Sequence, residues 1–171
     1  MANEEAATRF LEQQVEAESR RNREYQVKSW LNKVYEVTQK ELAAKMEVKE
    51  KLFAMITNGA LDYSKERVQS SEVTGQEKRT IAYSEAAESV DRVKEKIAGL
   101  ISERLMVINK VPGSEYRTIL IQRYINTKNW GEIAGSMSYS VRHCHRLFDE
   151  AIKRIAPIVE DHLKGGETND K

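Results

Sequence analysis

From Glu4 to Asn58 the chain contains neither proline nor glycine. Over that run the strong helix formers Glu, Lys, Ala, Gln, Leu and Arg dominate, and nothing breaks the backbone hydrogen-bond ladder. A helix of this length would reach roughly 80 Å at 1.5 Å per residue. Its apolar residues are sparse at first (Phe10, Leu11, Val15) and thicken from Tyr25 onward. The spacings Val27-Leu31-Val34-Thr38 and Leu42-Met46-Phe53-Ile56 follow helical periodicity. Such a helix cannot bury its stripe alone, so it needs a partner from the same chain or another. Asn58-Gly59 is the expected stop, because glycine readily takes the left-handed conformation that ends a helix.

A polar linker is expected over residues 59–83, where Ser70, Ser71, Thr74, Gly75 and Thr80 replace the helix-forming pattern. A second long helix then spans 84–111, with Ser84 as its N-cap and Glu85 and Glu88 in the first turn, where carboxylates suit the positive end of the helix dipole. Its stripe Val90, Val93, Ile97, Ile101, Leu105, Ile108 keeps three- and four-residue steps for almost three heptads, a coiled-coil-like pattern. The first helix folded back through the linker can cover it, and so can a second copy of the chain. Pro112-Gly113 ends it. The fold class is therefore all-α: a long N-terminal helix (1–58), a linker (59–83), a second long helix (84–111), a helical C-terminal domain (112–164) and a disordered polar tail (165–171).

In the C-terminal domain Ser114 is the expected cap of a helix from Glu115 to about Asn126, with Tyr116, Ile119, Leu120 and Tyr124 on its buried face. Asn129 followed by Glu132 is a capping box, opening a helix from Trp130 to Met137 in which Ile133 and Ala134 face inward. Ser138-Tyr139 makes the turn. Ser138 is expected at positive φ, at a cost on the order of 1 kcal/mol relative to glycine. Trp130 is expected against the preceding helix near Tyr124, and Tyr139 as an apolar plug. Ser140 caps the last helix, where Cys144, Leu147, Ala151 and Ile152 point to the core. Val141, Arg142, His143, His145 and Arg146 then face outward, and Pro157 predicts a kink or restart.

Two short helices joined by a tight turn, the second carrying cations near its N-terminal end, have the layout of a DNA-reading helix-turn-helix. Arginine can bond guanine O6 and N7 in a bidentate fork or grip phosphate, and histidine can do either more weakly. Ser140 can add a hydroxyl and an amide for phosphate, and Arg117, Arg123 and Lys128 a backbone grip. The charge balance agrees. The chain as a whole is only +1. Between Ser114 and Ala156 seven basic residues (Arg117, Arg123, Lys128, Arg142, Arg146, Lys153, Arg154) face four acidic ones (Glu115, Glu132, Asp149, Glu150), whereas residues 1–58 carry ten of each sign. The cluster Arg20, Arg21, Arg23 and Lys28 fits a solvated helix face interspersed with glutamates, with a phosphate-contacting arm as the alternative.

His143, Cys144 and His145 do not form a metal site, because adjacent helical residues point about 100° apart. The single cysteine permits no internal disulfide and favours a cytoplasmic setting. No apolar run approaches the roughly 18 residues of a membrane span. A glycine-rich phosphate loop, a convergent carboxylate set and a nucleophile beside a base are all missing, so neither an enzyme nor a cofactor is expected.

The run Tyr116-Arg-Thr-Ile-Leu-Ile-Gln-Arg-Tyr-Ile-Asn-Thr-Lys-Asn-Trp-Gly-Glu-Ile-Ala, continued by Tyr139-Ser-Val-Arg-His-Cys-His-Arg-Leu-Phe-Asp-Glu-Ala-Ile, resembles the part of sigma-70 family factors (region 4) that reads the promoter −35 element. The wider arrangement over Val90 to Ile155 is similar to phage and prophage regulators of the RinA and ArpU type, a family associated with activating late genes. The chain departs from the pattern at Val141, where a strong basic residue is lacking, and at Ser138, where glycine is usual. It has no counterpart of the sigma-factor part that melts promoter DNA. The resemblance implies a phage or prophage transcription regulator, an activator, that binds double-stranded DNA through residues 140–154, and the long helices are expected to form a homodimer or to contact RNA polymerase. Two other readings use the same residues: a DNA-packaging recognition protein like a terminase small subunit, and a helical adaptor that binds no DNA.

Overall fold

The computed structural model describes the backbone of residues 2–59 and 75–166, and the side chains of 9–57 and 75–165. All regular structure among them is helical. Helix α1 (Ala2–Glu36) passes through a π-helical turn (Val37–Leu42) into α2 (Ala43–Gly59). Helix α3 (Gly75–Ile108) is followed by α4 (Ser114–Leu120), a second π-helical turn (Ile121–Ile125), α5 (Trp130–Met137) and α6 (Val141–Gly166). The chain divides into two compact units, one of residues up to Tyr35 with those from Ile101 onward, the other Glu36–Leu100.

The unit Glu36–Leu100 is a helical hairpin. The Lys96 ammonium meets Glu41 at 2.8 Å and the Phe53 ring lies 5.8 Å from Tyr83, so α2 and α3 run antiparallel. Val37, Val90 and Val93 are its buried residues among those described. The stripe expected along α2 is corrected: Leu42, Leu52 and Ile56 are half-buried while Met46 and Phe53 lie outside. A π turn carries an extra residue, which rotates the apolar phase of the helix beyond it. The expected cap at Ser84 is also corrected. α3 starts at Gly75, so residues 75–83 are helix and not linker, and Ser84 lies exposed inside it. Gln76, Glu77, Lys78 and Arg79 are adequate helix formers, and the Thr80 hydroxyl is absorbed by a 3.0 Å bond to the Gln76 carbonyl. The rest of the expected linker, 60–74, lies outside the described residues, as does the expected disordered tail from 167 on. Gly165 and Gly166 still belong to α6.

The other unit holds the main core. Val27 and Leu31 of α1, Val107 and Ile108 at the end of α3, and Val111 in the connection after it pack with Ile119, Leu120 and Tyr124, with Ile133 and Ala134 of α5, and with seven residues of α6. Those seven (Cys144, Leu147, Phe148, Ala151, Ile152, Ile155 and Val159) repeat at three- and four-residue steps, so one face of α6 is buried from its first turn to beyond Pro157. The restart expected at Pro157 does not occur: α6 runs through it, held by buried Ile155 and Val159 on either side. Gly113, not Ser114, stands at the N-cap of α4, with φ 95° and no side-chain cap bond. A Cβ there would fall 2.7 Å from the Tyr116 ring, so the position requires glycine.

A polar clasp completes this unit. The Arg104 guanidinium, only 3% exposed, lies 4.4 Å over the Trp30 ring, donates to the Trp30 carbonyl at 3.2 Å and pairs with Glu103. Glu103 also meets His162 Nε2 at 2.9 Å, and the His162 ring sits edge-on to Trp30 at 5.8 Å. Burial pushes the Tyr124 phenol up to about 12, against the opposing pull of Arg123. Its folded pKa lies above the unfolded value, so its stabilising contribution is complete below pH ~10 and disappears as pH rises toward 12, about 3 kcal/mol in all. Denaturant unfolding at stepped pH is expected to show that loss, and Tyr124→Phe is expected to remove the Tyr124 share of it.

Candidate nucleic-acid interface

The α5–turn–α6 segment is built from three local devices. The Asn129 side chain accepts from the Glu132 amide at 3.0 Å while Glu132 Oε2 accepts from the Asn129 amide at 2.8 Å, so both partners of the capping box are engaged. Ser138 takes the left-handed conformation (φ 56°, ψ 37°), as its place in the turn requires, and the Tyr139 amide closes the turn on the Ala134 carbonyl at 3.0 Å. Ser140 caps α6: its hydroxyl accepts from the His143 amide at 3.2 Å and its carbonyl from the Cys144 amide at 3.0 Å.

A second strained position has no signature in the sequence. Thr127 has φ 53° in the loop between the second π turn and α5. Each non-glycine residue there costs roughly 1–2 kcal/mol. Thr127→Gly and Ser138→Gly are each expected to raise stability by about 1 kcal/mol after the entropy cost of glycine. Chemical-denaturation midpoints check this, and an unchanged or lowered midpoint would contradict the strain.

The side chains around the turn sort into two groups. Trp130 packs on α6, its ring 4.2 Å from His145 and 5.2 Å from Phe148, and the Arg123 guanidinium lies 5.0 Å above it. Arg123 also donates to the Lys128 carbonyl at 3.0 Å, and Arg117 donates to the Val111 carbonyl at 2.9 Å. Arg117 and Arg123, expected as a backbone grip, are thus half-buried braces of the loops flanking the second π turn and of the α3–α4 connection. Tyr139 is half-buried, as a plug would be, but its hydroxyl also donates to Glu115 Oε1 at 2.5 Å, which holds the phenol above its usual pKa.

The second group faces solvent. Val141 is 43% exposed, and Arg142, His145 and Arg146 are exposed as well, with Arg142 and Arg146 on the side of α6 opposite Cys144, Leu147 and Ala151 and His145 on its flank beside Trp130. His143 is half-buried, edge-on to Tyr139 at 4.6 Å and 3.0 Å from Arg146 Nη2 through Nδ1. Arg142 makes no hydrogen bond or ion pair among the described residues. The first turn of α6 carries no acidic residue of its own, and the Glu115 carboxylate beside it is engaged by the Tyr139 hydroxyl. Lys128 is half-buried in the loop before α5. Cys144 is fully buried, and no group of three metal-ligating side chains occurs among the described residues.

No helix among the described residues is long and apolar enough to cross a membrane. No protein-family model matches the chain, and no curated protein and no solved structure gives a significant match.

Proposed function

We propose that this chain is a sequence-specific DNA-binding regulator of transcription, in which α5 and α6 form a helix-turn-helix and residues 140–154 are its recognition helix. One observation carries the reading: a capped α5, a left-handed residue at the turn and a Ser140-capped α6 bury one face of α6 and leave Val141, Arg142, His145 and Arg146 outward at its N-terminal end. A helix with its side chains is about 10–12 Å across and B-DNA offers a major groove about 12 Å wide. The N-terminal turns enter first, so Arg142 and Arg146 reach guanine edges while His143 and His145 contact bases or phosphates alongside. Ser140 and the free amides of the helix end bind the flanking phosphate, and Lys128 adds a second.

The likeness to sigma-70 family promoter readers and to RinA- and ArpU-type regulators extends this reading to an activator of phage or prophage genes that works beside RNA polymerase in the bacterial cytoplasm. The experiment is selection of bound fragments from random double-stranded DNA by the purified chain. Enrichment of a guanine-containing motif, with affinity falling steeply as salt rises, is the expected result. Recovery of unenriched DNA at every salt concentration would remove the proposal.

A further inference from the structure

Residues 9–19 of α1 have no packed face among the described residues, whereas Arg20 and Arg23 line a groove with Lys153, Ala156, Pro157 and Glu160 of α6. Of residues 9–22 only Ala17 is half-buried, and the rest are exposed. Phe10, Leu11 and Val15 are 61%, 63% and 66% exposed. A helix of this length with no packed face is marginal in water, so something must cover it. Its charge pattern says what. Residues 4–18 carry five glutamates (Glu4, Glu5, Glu12, Glu16, Glu18) and one arginine (Arg9). Residues 20–28 carry four cations (Arg20, Arg21, Arg23, Lys28) and one glutamate (Glu24). One helix thus has an acidic half followed directly by a basic half, with the sign changing near Ser19.

We infer that α1 docks antiparallel on α1 of a second copy, crossing near Ser19, so that each acidic half lies along the other's basic half. Parallel pairing would set like charges together along the whole contact, and an acidic or basic partner of single sign would meet one half and repel the other. The two-fold arrangement uses the same surface twice and closes on itself. It does not depend on DNA binding.

The test uses the full chain and two triple variants, Glu12→Lys/Glu16→Lys/Glu18→Lys and Arg20→Glu/Arg21→Glu/Arg23→Glu, with circular dichroism to show that both fold. Sedimentation equilibrium is expected to show a dimer for the native chain that weakens with salt. Each variant alone, now with the same net sign in both halves of α1, is expected to self-associate at least about tenfold more weakly. An equimolar mixture of the two is expected to recover a one-to-one dimer. Dyes placed at residue 9 are expected to be far apart across the native dimer, as antiparallel packing requires. A native chain that stays monomeric, a dimer indifferent to both triple changes, or short dye separation would overturn the inference. So would arginine reversal that weakens DNA binding while leaving self-association unchanged, which would make the basic half a nucleic-acid surface.

Discussion

Replacing Arg142 and Arg146 together by alanine is expected to weaken binding to a selected DNA site by about 100-fold or more, with helix content and melting temperature unchanged. The size follows from chemistry. A good bidentate contact to a guanine discriminates by about 1–3 kcal/mol, and two lost contacts in the lower half of that range, about 1.5 kcal/mol each, come to roughly 3 kcal/mol, or about two decades of affinity. The unchanged stability follows from placement: both side chains are exposed on α6. The one internal bond Arg146 makes, to His143, is solvent-exposed, and alanine favours a helix. Lys128→Ala is expected to act differently, weakening binding to all sequences alike and lowering the salt dependence, because a phosphate contact carries no base information. Normal affinity in the double variant, measured by fluorescence anisotropy, would move the reading face elsewhere.

The second large effect concerns the frame. Arg104→Ala is expected to cost about 3–5 kcal/mol, while Arg104→Met is expected to cost much less. Alanine at this position opens a cavity beneath Trp30 and strips Glu103 of its cation. Methionine keeps the stem and the contact with the indole, and a buried cation replaced by an apolar chain of similar size is often near neutral. Trp30, Arg104, Glu103 and His162 come from α1, α3 and α6, so the clasp ties the C-terminal part of α1 to α3 and the end of α6. Equal losses for the two variants in urea unfolding would show that charge pairing, and not packing, holds this place.

What the sequence disclosed divides along physical lines. Asn129 with Glu132, Ser138 at the turn and Ser140 before α6 were legible because caps and turns are set by local hydrogen bonds within three or four residues. The inward face of α6 was legible because its apolar period is strong. The end of the linker was not, since residues 76–80 are polar yet mostly good helix formers, and composition alone does not separate those states. Nor were the π turns, which depend on one surplus residue in the hydrogen-bond ladder. Arg117 and Arg123 show a different limit. A cation near a motif looks like a ligand contact until coordinates reveal carbonyls within reach, here those of Val111 and Lys128. Arg104 left a trace that could have been caught, because it falls three residues after Ile101 and four before Ile108, on the apolar stripe itself.

The central claim is that the N-terminal end of α6 reads bases in the major groove. The most direct measurement is binding to the selected site after methylation of guanine N7, which puts a methyl group into that groove and nowhere else. The account predicts strong interference at one or more guanines in the native chain, and loss of interference at one of them in Arg142→Ala. Undiminished binding to fully N7-methylated DNA would contradict it.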